Sequence, residues 1–184
     1  MKIKKLIYLI AFLASVRPCV SADERSSCLD TLAAENDYVA FFYCFPESNS
    51  DFKYFYGCNT NDGASPLYEK ARHQILDCLI EAKKYVPQSK YYSKISKLAS
   101  DIHYDVDAPF YFRELFLKLL STDQNFDTFL SKLDVEQRKK IAIFITSSVL
   151  GSHTVIPKCM PSSKFCAQLI LEKFNKNASK WVGE

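Results

Sequence analysis

Residues 65–87 read SPLYEKARHQILDCLIEAKKYVP, and their spacing sets the fold class. Tyr68, Ala71, Ile75, Cys78, Leu79, Ala82 and Val86 recur every three or four positions, the period of a helix with one apolar face. Ser65 suits the cap of that helix, Pro66 its first turn and Pro87 its stop.

The same period extends outward. Downstream, a helix is predicted over about 89–102, with Tyr91, Ile95, Leu98 and Ile102 on one face. Pro109 opens a strongly apolar helix carrying Phe112, Leu115, Phe116, Leu119 and Leu120. A shorter one follows near 123–132, with Phe126, Phe129 and Leu130. Asp134 and Gln137 resemble a capping box for a helix bearing Ile141, Ala142, Ile145 and Val149. That stretch is rich in β-branched residues, so a strand is its alternative. A last helix is expected at about 162–176. Upstream, one continuous helix is predicted over about 25–44, ended by Pro46. Residues 46–65 read as a loop holding the aromatic run Phe52–Tyr56, a strand or a helical turn. Four glycines are too few for a turn-rich β-sandwich. The expected fold is all-α (or mainly α): a compact, disulfide-stapled bundle of about six or seven helices, with a candidate short strand or hairpin in 50–60.

The N-terminus reads as an export signal. Lys2, Lys4 and Lys5 precede an apolar run, Leu6 to Ala14, and small residues close the segment at Val20-Ser21-Ala22. Cleavage is expected after Ala22, giving a signal peptide at 1–22 and a single secreted domain at 23–184. The apolar run is far shorter than the roughly 20 residues of a membrane span. No transmembrane segment is expected after cleavage, and the localisation read from the sequence is secreted, extracellular. Four of the 24 basic residues and none of the 21 acidic ones fall in 1–22, so a net charge of +3 becomes 20 bases against 21 acids. Attraction of the mature chain to nucleic acid is therefore not expected.

Six cysteines remain after the cut: Cys28, Cys44, Cys58, Cys78, Cys159 and Cys166. An even number in an exported chain reads as disulfides. On one continuous helix Cys28 and Cys44 would stand about 24 Å apart, far beyond the roughly 7 Å a disulfide spans between Cα atoms. Fifteen pairings are open to six cysteines and the sequence does not choose among them; the working set is Cys159–Cys166, where a loop and the next helix's first turn make a local bond easy, with Cys44–Cys58 and Cys28–Cys78. The gaps before Cys159 hold 15, 13, 19 and 80 residues, which excludes the insect odorant-binding pattern. Saposin-like and secreted phospholipase patterns do not match either.

Chemistry-bearing motifs are sparse. The three histidines, His73, His103 and His153, show no zinc-like pairing, and there is no G-x-S-x-G, phosphate loop or CxxC. Residues 101–107 concentrate Asp101, His103, Asp105 and Asp107, which suits acid/base work or, more simply, a helix start and a solvated loop. Asp62-Gly63 with Glu69 imitates part of an EF-hand but lacks carboxylates at its first positions. Lys90, Lys94 and Lys97 share a helical face that would suit an anionic glycan or serve as a plain solvated face. Tyr54, Phe55 and Tyr56, between two cysteines, suit a candidate binding surface or, equally, rings folded inward. The remaining phenylalanines suit an ordinary core or the lining of an apolar cavity. Asn177-Ala178-Ser179 is a glycosylation sequon.

The leading expectation is a secreted helical interaction protein, of the effector, salivary or venom-like type, that binds and modulates an extracellular protein partner. The alternatives are an extracellular carrier of a small apolar ligand or lipid in an interhelical cavity, and a carboxylate-based hydrolase. No catalytic residue, metal or cofactor is assigned, and an enzyme is not expected.

Overall fold

The computed structural model describes residues 22–59, 63–102, 108–146 and 163–166, with side chains from Glu24 onward and those of Cys58 and Asn59 left out. The signal segment before Ala22, Cys19, Asp62, residues 103–107, His153, Cys159, Phe174 and Asn177 lie outside these residues. So do the end of the helix expected to reach Val149 and most of the one expected at 162–176, of which 164–166 are helical.

The described chain is mainly helical. The helices are α1 (Ala22–Ala34), α2 (Tyr38–Cys44), α3 (Asn49–Tyr56), α4 (Leu79–Ala82), α5 (Gln88–Asp101), α6 (Ala108–Thr122), α7 (Gln124–Ser131) and α8 (Val135–Thr146). A two-residue antiparallel pair, β1 (Cys58–Asn59) and β2 (Gly63–Ala64), joins Cys58 to Ala64 and Asn59 to Gly63. Gly57 is the C-cap of α3, where a Cβ would sit 2.4 Å from the Lys53 carbonyl oxygen, so the position takes glycine. Among the described residues no helix is long and apolar enough to cross a membrane.

The helix expected over 25–44 is two helices. Asn36 takes a left-handed φ of 58°, a conformation that asparagine tolerates better than most residues. Its N–H donates to the Ala33 carbonyl, and that of Asp37 donates to the Leu32 carbonyl, the paired bonds of a Schellman ending. Asp37 then caps α2 by accepting from the Ala40 N–H at 3.1 Å. The chain reverses, and α1 and α2 pack as a hairpin.

The stretch 65–87 also departs from a plain helix. Ser65 donates its hydroxyl to the Lys53 carbonyl instead of capping. A 3-10 turn, Tyr68–Lys70, is followed by a π-helical segment, His73–Cys78, before α4. The wider π turn brings Gln74, Ile75, Leu76 and Cys78 inside together. The aromatic run expected as loop, strand or turn is helix α3, with Ser48 accepting from the Asp51 N–H at its start. The alternative strand at 141–149 is α8 as far as Thr146, opened by Asp134 accepting from the Gln137 N–H at 2.8 Å.

The core is aromatic. Ring contacts run from Phe41 to Phe45, Phe52, Phe112, Phe144, Phe116, Phe126, Tyr92, Tyr91 and back to Phe42. All ten rings are buried. The buried phenols find partners: Tyr56 donates to Gln74 at 2.8 Å, Tyr91 to the Leu79 carbonyl at 3.0 Å and Tyr92 to Asp123 at 2.7 Å.

Two buried aspartates join helices. Asp127, on α7, accepts from the Ser163 hydroxyl and from the backbone N–H groups of Lys164 and Phe165, docking that segment. Asp123 caps α7 through the N–H groups of Asn125 and Phe126 and accepts from Lys83 at 2.5 Å. Burial would raise its pKa; hydrogen bonds from Lys83, Tyr92 and the Phe126 N–H outweigh that and hold it below the ordinary carboxylate value. A carboxylate whose pKa is lowered by folding stabilises the fold above the unfolded pKa and loses that contribution as pH falls through the folded one. Asp123→Ala should therefore cost roughly 3 kcal/mol at neutral pH, with the deficit shrinking below about pH 4. Urea denaturation of both proteins across pH 3–7 checks this.

Candidate functional site

The aromatic run divides. Tyr54 is 41% exposed, whereas Phe55 and Tyr56 are buried. Arg25 lies 5.1 Å over the Phe55 ring. The helical period of α3 turns only one of the three rings outward, so the expected three-ring surface is corrected to Tyr54 alone.

The basic face also divides. Lys94 is 8% exposed, and its ammonium donates to the Phe42 carbonyl at 2.8 Å and the Tyr43 carbonyl at 3.3 Å, the orphan acceptors of the end of α2. It lies 5.1 Å over the Phe42 ring. Glu47 stands 3.6 Å from Lys94 and 3.5 Å from Lys97. Lys90 lies 5.9 Å over the Tyr43 ring. The expected anionic-glycan face is thus reduced: Lys94 is a structural cation and one carboxylate serves two of the three lysines. Burial is the largest influence on Lys94 and pushes its pKa down to about 8, against the opposing pull of Glu47.

Asp101, the one carboxylate of the 101–107 cluster that is described, accepts from the Asn49 N–H at 2.6 Å and thereby holds the start of α3. It is a structural tie across the fold. Among the described residues no group of three His, Cys, Asp or Glu is placed to hold a metal ion.

The structure assembles one constellation that sequence spacing did not reveal. His73 meets Asp77 through Nδ1 at 3.0 Å and the Cys78 sulfur through Nε2 at 3.7 Å. The connectivity is that of a cysteine–histidine–aspartate triad. Its chemistry runs the other way. Cys78 is fully buried, and burial, then the charge of Asp77, push its thiol up to about 11. A nucleophilic cysteine needs access and a depressed pKa. The group therefore reads as a surface histidine–aspartate pair resting on a core thiol.

Of the six cysteines expected in disulfides, Cys28, Cys44 and Cys78 are free thiols, and Cys166 is disulfide-bonded. The expected Cys28–Cys78 and Cys44–Cys58 bonds are therefore absent. The chain reversal at Asn36 is the reason: it packs α2 back on α1 and sets Cys44 near Cys28, which is among the groups that raise its pKa.

A different surface forms where α2 begins and α4 ends. Tyr85 is 64% exposed, off the buried face that carries Ala82 and Val86. Its hydroxyl and that of Tyr38 fall within electrostatic range of one another. Beside them Lys84 closes on both oxygens of Glu81 at 2.6 and 2.7 Å. Tyr38 also donates to the Asn36 side chain at 2.5 Å. Tyr38 and Tyr85 are 47 positions apart, and the packing of α2 against α4 brings their ends of the chain together. A local signal could have marked Tyr85, which falls off the apolar stripe two positions before Pro87.

No family model, no curated protein and no solved structure matches the chain.

Two outcomes follow from the buried groups. A lysine whose pKa is lowered by folding opposes stability below the folded value, and the penalty lifts as pH rises toward the unfolded value. The stability difference between wild type and Lys94→Met should therefore shift in favour of wild type between about pH 8 and 10.5, as read from paired urea titrations. In the reduced, folded protein Cys78 should resist iodoacetamide and react only after denaturation; rapid native labelling would restore it as a nucleophile.

Proposed function

We propose that the chain is a secreted helical interaction protein that binds and modulates an extracellular protein partner, with Tyr38 and Tyr85 at the centre of the contact. The observation that carries the reading is Tyr85, an aromatic side chain 64% exposed within electrostatic range of the half-buried Tyr38. Tyrosine presents a large, stiff, amphipathic surface at low entropic cost and is enriched where proteins bind one another. The adjacent Lys84–Glu81 pair is internally neutralised, which suits a protein surface better than a polyanion. The same reading takes residues 1–22 as a cleaved signal peptide and Asn177 as a glycan acceptor.

Carriage of an apolar ligand draws less support. The rings that would line a cavity pack on one another at centroid distances of 5.0–6.2 Å. A hydrolase draws less again, because Cys78 is buried and Asp101 holds a helix start.

The test presents a panel of purified extracellular domains to immobilised mature protein and to its Tyr85→Ser variant. Wild type should retain a partner whose retention falls at least about tenfold in the variant, with the helical circular dichroism unchanged. Equal retention by both, or native mass spectrometry that finds bound lipid, overturns the reading.

A further inference from the structure

The α1–α2 hairpin places two thiols against each other. Asn36, with its left-handed φ, is the pivot, and Cys28 and Cys44 each lie eight positions from it. In an antiparallel hairpin, positions equidistant from the turn stand at the same level. The two helices pack together, and the two thiols are near enough to act on one another electrostatically. Both residues are part-exposed, so an oxidant reaches them. The other described free thiol, Cys78, is buried against His73 and leaves the pair without a competitor from that side.

We propose that Cys28 and Cys44 form a disulfide that staples the α1–α2 hairpin. The bond forms by exchange with a disulfide of the secretory compartment, either a small disulfide or that of an oxidoreductase. One thiolate attacks the oxidant disulfide and gives a mixed disulfide, releasing one reduced thiol. The second thiolate displaces the remaining oxidant sulfur. The protein loses two thiol hydrogens and two electrons, and the oxidant gains them as two thiols. Burial, and then the neighbouring Cys28, push the Cys44 thiol up to about 11, which keeps it protonated at neutral pH and slows its exchange without setting which pair forms.

The bond would act on the surface described above. The turn it closes carries Asn36 and Tyr38, so the staple holds Tyr38 beside Tyr85. It rests on the export reading for its oxidant alone; the geometry stands without it.

The sequence makes the test direct. No Lys or Arg lies between Arg25 and Lys53, so trypsin releases Cys28 and Cys44 on one peptide free of other cysteines. Glu35 lies between them and lets a glutamate-specific protease split that peptide. Mature protein is equilibrated in a glutathione redox buffer, alkylated and digested with both enzymes. A Cys28 fragment joined to a Cys44 fragment, separating on reduction, is expected. Alkylation of both thiols, or linkage of either to Cys58, Cys78, Cys159 or Cys166, overturns the pairing.

A second measurement uses Cys28→Ser, Cys44→Ser and the double variant. Each single substitution should lower Tm by about 5–15 °C, and the double should lower it no further. Additive losses overturn the proposal. Bond formation in buffer by a chain that cells fail to export supports the pairing and removes the export reading.

Discussion

Everything in this fold hangs on one circuit of aromatic rings. It leaves α2 at Phe41, passes through Phe45 and α3, crosses α6 and α8, returns through α7 and α5, and closes on Phe42. Six helices therefore share one packed interior, and each ring contact is worth more than its buried area alone. The circuit closes only because Phe41 and Phe42 are neighbours on a short helix facing the core on both sides. A long first helix would have carried these residues away from α1 with no return path.

That constraint explains the polar groups. A core so rich in tyrosine must satisfy hydroxyls, and it does so with Gln74, the Leu79 carbonyl and Asp123. The short α2 ends inside the molecule, so its last carbonyls need a donor, and Lys94 reaches them across the face of Phe42. The cost is a buried ammonium with a depressed pKa. The π-helical widening at His73–Cys78 serves the same interior. It turns Gln74 toward Tyr56 and sets Cys78 beneath His73. What resembles catalytic geometry there follows from packing.

The surface is shaped by what the core leaves over. The reversal at Asn36 aligns Cys28 with Cys44 and brings Tyr38 to Tyr85. The proposed Cys28–Cys44 staple and the approach of half-buried Tyr38 to exposed Tyr85 thus both trace to one left-handed residue between two helices.

Much of this was legible in the residues alone. Helices α5, α6, α7 and α8 follow from apolar spacing and from caps such as Asp134, because periodicity and capping act within a turn or two of chain. The core faces of Phe112, Leu115, Phe116, Phe126 and Leu130 were legible for the same reason. Glu35-Asn36-Asp37 did hold the stop-and-start signal, an αL-tolerant residue before an N-cap, but the apolar period runs through it and masks it. The burial of Lys94, the inward turn of Phe55 and Tyr56, the pairing of Tyr38 with Tyr85 and the meeting of Cys28 with Cys44 lay beyond any local pattern. Each depends on which group stands opposite in space. Sequence spacing determined the helices and their inner faces; only tertiary packing decided which charges, rings and thiols would meet.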